Sequence, residues 1–391
     1  MAIKTPQAFL LRLQRRNFIK YSGAFTAAAI SPHHARPKHI HNISFLLQRT
    51  CSRFNMPAMA GLILHGDTVE AQGVSGIRER GHTALATLHD QWHLGSDTKA
   101  MTATICAMLV TKGLLHWNST LAEIFPEMAA AMNRAYRSVT LTQILTMRAG
   151  CPDESVLLPE WNRLETQRHH LIKVRENLTR WVLSRPPQAA PGSRFIYSNA
   201  GYVIAGHMAE RVTAIAWEQL MKTHIFRPLN MPTAGFGAPG TPGKLDEPRG
   251  HTADGKPVHI GPGDDNPPVM GPAGRVHASI GDWAKFIALH LTMGRSHPGL
   301  LPHSAFVCLH TPVVGKSGQH PYAMGWGVAD RSWAGGAALT HNGSNNMWYC
   351  TTWLAPKRNF ATLVTCNQGG DQAAKACDAA SAELIKYHLK L

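Results

Sequence analysis

Gly95-Ser96-Asp97-Thr98-Lys99 opens a run in which Met101, Ile105, Met108 and Leu109 recur at helical spacing before Gly113. The pattern predicts a helix over 96–111 that stops at the glycine. Ser96 then stands at the helix start with Lys99 three residues on, on the same face, so the amine can reach the hydroxyl. The helix N-terminus adds unpaired amides and a favourable partial charge for a developing oxyanion. Taken alone, S-x-x-K is common, and Ser96 reads equally well as a plain N-cap. Its meaning depends on what the chain places around it.

Working outward, Ile43, Leu47, Cys51 and Phe54 form one stripe of a helix within 40–55. Residues 60–65 and 68–74 flank Gly66-Asp67, a two-residue hairpin turn. Downstream, the chain reads as mainly helical to about 235, interrupted at Pro186-Pro187 and Pro191-Gly192. Residues 236–274 carry Gly261-Pro262-Gly263 and Pro267-Pro268, a long surface excursion of the kind that borders sites. Residues 348–354 and 360–365 make a strand pair around Ala355-Pro356-Lys357. A closing helix starts near Asp371, with Cys377, Ser381, Leu384 and His388 on one face. Strands at both ends and helices between them predict an α/β plus all-α chain. One antiparallel sheet flanked by helices is expected from 36–95 and 275–391, with an inserted, mainly helical domain over 96–274.

Two further motifs complete a possible catalytic set. Tyr197-Ser198-Asn199 follows Gly192-Ser193-Arg194-Phe195-Ile196. A phenol beside an ammonium is expected to have a lowered pKa, so Tyr197 is a candidate proton relay for Ser96. Asn199 offers an amide to Lys99 and to the substrate's carbonyl side. The plainer reading is a turn ahead of a helix at 200–212. His341-Asn342-Gly343-Ser344 opens a strand region in which Gly343 allows close backbone approach. The Ser344 amide, paired with that of Ser96, would complete an oxyanion hole. The plainer reading is an Asn-Gly hairpin turn.

In this order the three motifs are far more specific than any one of them. From about residue 40 to the end, the sequence resembles the serine β-lactamase-related, penicillin-recognising hydrolases. It is most similar to their class C β-lactamase, D-aminopeptidase and carboxylesterase branch. Supporting stretches are Trp92-His93-Leu94-Gly95, Pro272-Ala273-Gly274 and Met324-Gly325-Trp326-Gly327, with Ile225-Phe226-Arg227-Pro228-Leu229-Asn230-Met231. Ile144-Leu145-Thr146-Met147-Arg148-Ala149-Gly150 looks like the family's L-L-T-H-x-S-G, with Met147 and Ala149 replacing the usual His and Ser. The resemblance implies a β-lactamase/transpeptidase-like fold and an acyl-enzyme on Ser96. Lys99 and Tyr197 would move its proton, the Ser96 and Ser344 amides would hold the oxyanion, and no cofactor or metal would be needed. Asn199, His341, Asn342, Gly343 and Ser344 are the expected substrate contacts. His341 stands where class C β-lactamases have a carboxylate-binding lysine. A mostly neutral imidazole there points to ester or D-amino-acid-type amide substrates, with protonation below pH 7 expected to restore some carboxylate affinity. A β-lactamase and a catalytically silent binding protein of the same fold are the alternatives.

Composition narrows the remaining classes. The formal charge is +15, five of it from Lys4, Arg12, Arg15, Arg16 and Lys20, and the rest is scattered without a basic-aromatic platform. Nucleic acid is therefore not the expected partner; a small-molecule or peptide-like acyl substrate is. Gln14-Arg15-Arg16-Asn17-Phe18-Ile19-Lys20 before an apolar stretch resembles a twin-arginine export signal within 1–35, which implies a periplasmic or secreted protein. Apolar runs after residue 40 are too short to span a bilayer. The seven cysteines show no metal spacing and read as buried small hydrophobes. Only His33, His34, His39 and His41 cluster in a way that invites adventitious metal.

Overall fold

The computed structural model describes residues 40–259, 264–313 and 321–391. The export-signal region, His33, His34, His39 and Gly261-Pro262-Gly263 lie outside them. Among the described residues the strands are, in chain order, β1 (His41–Asn42), β2 (Ala58–His65), β3 (Thr68–Gly76), β4 (Gln91–His93) and β5 (Gly235–Phe236). They continue with β6 (Val276–Ser279), β7 (Gly327–Arg331), β8 (Gly336–Ser344), β9 (Tyr349–Ala355) and β10 (Phe360–Cys366).

The hairpin β2–β3 turns at Gly66, whose φ of 63° suits glycine. β2 then pairs with β10, so the two ends of the chain lie side by side in a sheet ordered β1-β3-β2-β10-β9-β8-β7. Neighbours run antiparallel except β1, which pairs parallel to β3 over two residues, too short a stretch to leave a sequence pattern. β2 is buried on both faces, and its alternation sorts the core. Met59 and Ile63 pack with Leu47, Cys51, Cys377 and Leu384 under the helices Ser44–Phe54 and Gly370–Leu389. Ala60, Leu62 and Leu64 join the larger core with Met101, Ile105 and Val203.

A second, three-stranded sheet, β4-β6-β5, has no counterpart in the sequence reading. Its strands are two to four residues long, below the length at which alternation is readable. It matters because it clamps the chain on either side of the helical segment: β4 ends just before Ser96, and Leu94 N donates to Val276 O at 2.8 Å. No described helix is long and apolar enough to cross a membrane, and no described group of three or more His, Cys, Asp or Glu could hold a metal. All seven cysteines are unpaired; Cys308 is partly exposed and the others are buried.

The helices Leu171–Leu183 and Asn199–Thr213 are tied by a charge cluster centred on a buried arginine. Arg175, fully buried, donates to Glu210 at 2.5 Å and also to Glu218, while its Nε reaches Val269 O at 3.3 Å. Removing the guanidinium strands the Glu210 carboxylate in the interior, a defect that costs about 3–5 kcal/mol. Arg175→Leu should therefore lower the urea midpoint by a destabilisation of that size. A loss below about 1 kcal/mol would mean that the cluster is relaxed by water.

Candidate active site

Ser96 lies in a 3-10 turn, Gly95–Asp97, that runs directly into the helix Thr98–Thr111. Gly95 makes the turn possible with φ 45°. A Cβ on Gly95 would sit 2.3 Å from Ser344 N, and one on Gly343 would sit 1.9 Å from Leu94 O. The two glycines thus let the end of β8 press backbone-to-backbone against the Gly95–Asp97 turn. Asn342 and Gly343 are not a hairpin turn: they lie within β8, opposite Thr351 and Cys350 of β9. Nor does Ser96 cap the helix. Its Oγ receives Tyr197 Oη at 2.7 Å and lies 2.9 Å from Lys99 Nζ.

Tyr197 and Asn199 are placed by their neighbour Ser198, whose Oγ caps the helix Asn199–Thr213 by accepting from Gly201 N and donates to Pro152 O. Met147, with φ 58°, supports the same turn: its carbonyl accepts from Ile196 N, and its sulfur takes the Ser198 amide at 3.3 Å.

The surroundings of Lys99 fix its proton inventory. The side chain is fully buried. Nζ also lies 2.6 Å from Asn199 Oδ1 and 2.7 Å from Ala273 O, and both of these only accept. Burial pushes the ammonium down to about 7, while Glu154 and then Asp97 act against that fall. A neutral amine donates its two hydrogens to Asn199 and Ala273 and turns its lone pair to the Ser96 hydroxyl. Tyr197 behaves opposite to expectation. Burial pushes its phenol up, the bond to Ser96 pulls the other way, and Glu154 and Asp97 raise it further. Tyr197 is therefore a protonated donor, because low dielectric outweighs any help from a lysine that is itself close to neutral.

Ser96, Tyr197, Asn199, Asn342, Gly343 and Ser344 all border one cavity of about 720 Å³. His341 does not. Alternation along β8 turns it away from Asn342 and Ser344. Its Nδ1 lies 2.8 Å from the Asn342 carbonyl, so it donates there, and Nε2 accepts from Tyr322 Oη at 3.1 Å. Burial, then Lys99, pushes the imidazole down to about 3. The expected titration of His341 between pH 7 and 5.5 is therefore corrected: it stays neutral throughout.

Sequence reasoning missed three contributors. Glu154, at the start of the helix Glu154–Leu164, accepts from Asn199 Nδ2 at 2.6 Å and Trp161 Nε1 at 2.7 Å. Ala273 supplies a carbonyl from within the Pro272-Ala273-Gly274 stretch. Asp265, in the Gly/Pro excursion, lies 2.9 Å from both His93 Nε2 and Arg275 Nη2 and accepts from Asn345 at 2.9 Å. Burial would raise the Asp265 carboxyl, but His93, Arg275 and Asn345 outweigh it and hold it low. His93 Nδ1 in turn accepts from Gly95 N at 3.0 Å, which ties the excursion to the turn that carries Ser96. The Gly/Pro composition marked the loop, but nothing marked the acid within it.

A family model described as Beta-lactamase matches residues 47–385. The chain belongs to the Beta-lactamase family. It is 24% identical to Penicillin-binding protein 4 of Amycolatopsis lactamdurans, covering 80% of this chain and 81% of that one. It is 21% identical to Protein flp of Staphylococcus aureus (strain MW2) over 88% of this chain, and spans just under two thirds (66%) of that relative. Among solved structures, the octameric penicillin-binding protein homologue from Pyrococcus abyssi superposes with a TM-score of 0.70 at 20% identity, covering 86% of this chain and 75% of that one. The D-alanine carboxypeptidase AmpC from Burkholderia cenocepacia gives 0.68 at 18% identity, covering 87% and 98%. Members of the Beta-lactamase family are serine hydrolases, and the likeness to these structures establishes the β-lactamase/transpeptidase-like fold.

The contact between β8 and the Gly95–Asp97 turn gives a direct test. Gly343→Ala should separate Ser344 from Ser96 and reduce kcat/KM on the order of 10²-fold, the cost of losing one oxyanion donor. Unchanged kinetics would show that the two amides do not act together.

Proposed function

We propose that this protein is an acyl-hydrolase that works through an acyl-enzyme on Ser96. The reading rests on one observation: Ser96 Oγ stands at the cavity floor between Lys99 Nζ at 2.9 Å and Tyr197 Oη at 2.7 Å. Neutral Lys99 takes the Ser96 proton as Oγ attacks the carbonyl carbon, and the Ser96 and Ser344 amides receive the oxyanion. The ammonium so formed returns the proton through Tyr197 to the leaving oxygen or nitrogen as its bond to carbon breaks. Water, deprotonated along the same route, then attacks the acyl-enzyme and releases the acid.

The substrate we favour is an ester or a D-amino-acid or peptide-type amide. Among the described residues, the cavity is bordered by Glu154, Glu165, Asp264 and Asp265 and by no lysine or arginine. With His341 neutral and turned away, no cation among the described bordering residues pairs with the carboxylate of a β-lactam. The presence of the whole proton-transfer set weighs against a silent binding protein.

A fluorophosphonate probe should label the wild type, and Ser96→Ala should abolish both labelling and turnover. Tyr197→Phe should lower kcat by about 10²–10⁴-fold with little change in KM. Labelling of the alanine variant would transfer the nucleophile to another residue. The substrate preference makes a separate prediction. The ratio of kcat/KM for nitrocefin to that for p-nitrophenyl acetate should stay constant from pH 7 to 5.5. A rise on acidification would mean that a group gains charge beside the substrate carboxylate.

A further inference from the structure

The mechanism above uses Lys99, yet Lys99 does not border the cavity; its setting is controlled from outside by a residue that does. Asn199 Oδ1 meets Lys99 Nζ at 2.6 Å, and Asn199 Nδ2 meets Glu154 Oε1 at 2.6 Å. With its oxygen on the lysine, the amide turns its nitrogen to the far side, where Glu154 is the acceptor. The other carboxylate oxygen is pinned by Trp161 Nε1 at 2.7 Å, which locks the rotamer. We propose that Glu154 is a positioning residue for catalysis: it orients Asn199 and supplies the negative charge that keeps the Lys99 amine basic.

Of the groups facing Lys99, Asp97 adds to that charge by less than Glu154 does, and the rest are neutral. His341 on β8 is neutral. Tyr197 and Tyr202, with their rings 4.8 and 5.7 Å from Nζ, are phenols that burial pushes up. Asp97, on the nucleophile turn, is buried, and burial pushes its carboxyl well up towards the neutral acid; Oδ1 has no partner, and Oδ2 takes only the Cys350 thiol. Ala273 contributes an uncharged carbonyl. Glu154, by contrast, is exposed and borders the open cavity. It reaches the buried amine through one amide, that of Asn199.

The proposal rests on Lys99 being the base, and the test separates the two claims. The wild-type rate of inactivation by a neutral fluorophosphonate, and kcat/KM for p-nitrophenyl acetate, should both rise with pH through a midpoint near 7 as Lys99 loses its proton. In Glu154→Gln, which keeps the size but not the charge, the ammonium loses its opposite charge. The midpoint should move to lower pH by about half a unit or more in both measurements, with a lower plateau. Glu154→Ala should move it in the same direction, and thermal melts of both variants should match the wild type. A wild-type limb near 7 that stays in place in Glu154→Gln overturns the role of Glu154 alone. A wild-type profile flat from pH 5 to 8 overturns the base assignment and the proposal with it.

Discussion

The backbone contact between the end of β8 and the Leu94–Ser96 turn is the constraint on which the site depends. It brings the first part of the chain, which carries Ser96, against a strand nearly 250 residues later in sequence. Side chains at Gly95 or Gly343 would hold the two backbones apart. Every other element near the site serves this approach. The β2–β10 pairing brings the chain ends together, β9 carries β8, and the small sheet clamps the segment that leads into Ser96.

Around that contact the chain maintains a gradient of polarity. Asp97, Lys99, His341 and Tyr322 lie in the dry layer behind the turn, where burial moves each towards its neutral form. Keeping an amine there costs on the order of several kcal/mol relative to an exposed lysine. Three hydrogen-bond contacts offset part of that cost. In return, the amine is near neutrality at ordinary pH, where a solvated lysine would be almost wholly protonated. Asp265, paired with Arg275, is held low and keeps its charge.

Asp265 shows how a long surface excursion is made part of a rigid site. A loop as rich in Gly and Pro as 236–274 has few side chains to pack. One buried carboxylate nonetheless reaches His93 on β4, Arg275 beside β6 and Asn345 after β8. These partners come from three separate stretches of chain, and charge-assisted bonds are strong enough to fix their relative positions.

The sequence by itself determined the elements and the chemistry that local pattern can carry. The stripe Ile43, Leu47 and Cys51, the turn at Gly66 and the run after Ser96 each obey a period within one segment, so each was legible. So was the S-x-x-K spacing, because i and i+3 share a helix face whatever the fold. Tertiary structure alone decided the rest. It turned His341 away from the cavity, because a strand alternates and only the pairing with β9 sets which face looks inward. It reversed the expected shift of Tyr197, because burial is a property of the assembled interior. It also joined Glu154 to Lys99 across 55 residues of sequence, through an amide on a different helix. Proton affinity and facing direction depend on which distant groups surround a side chain, and no local repeat encodes that.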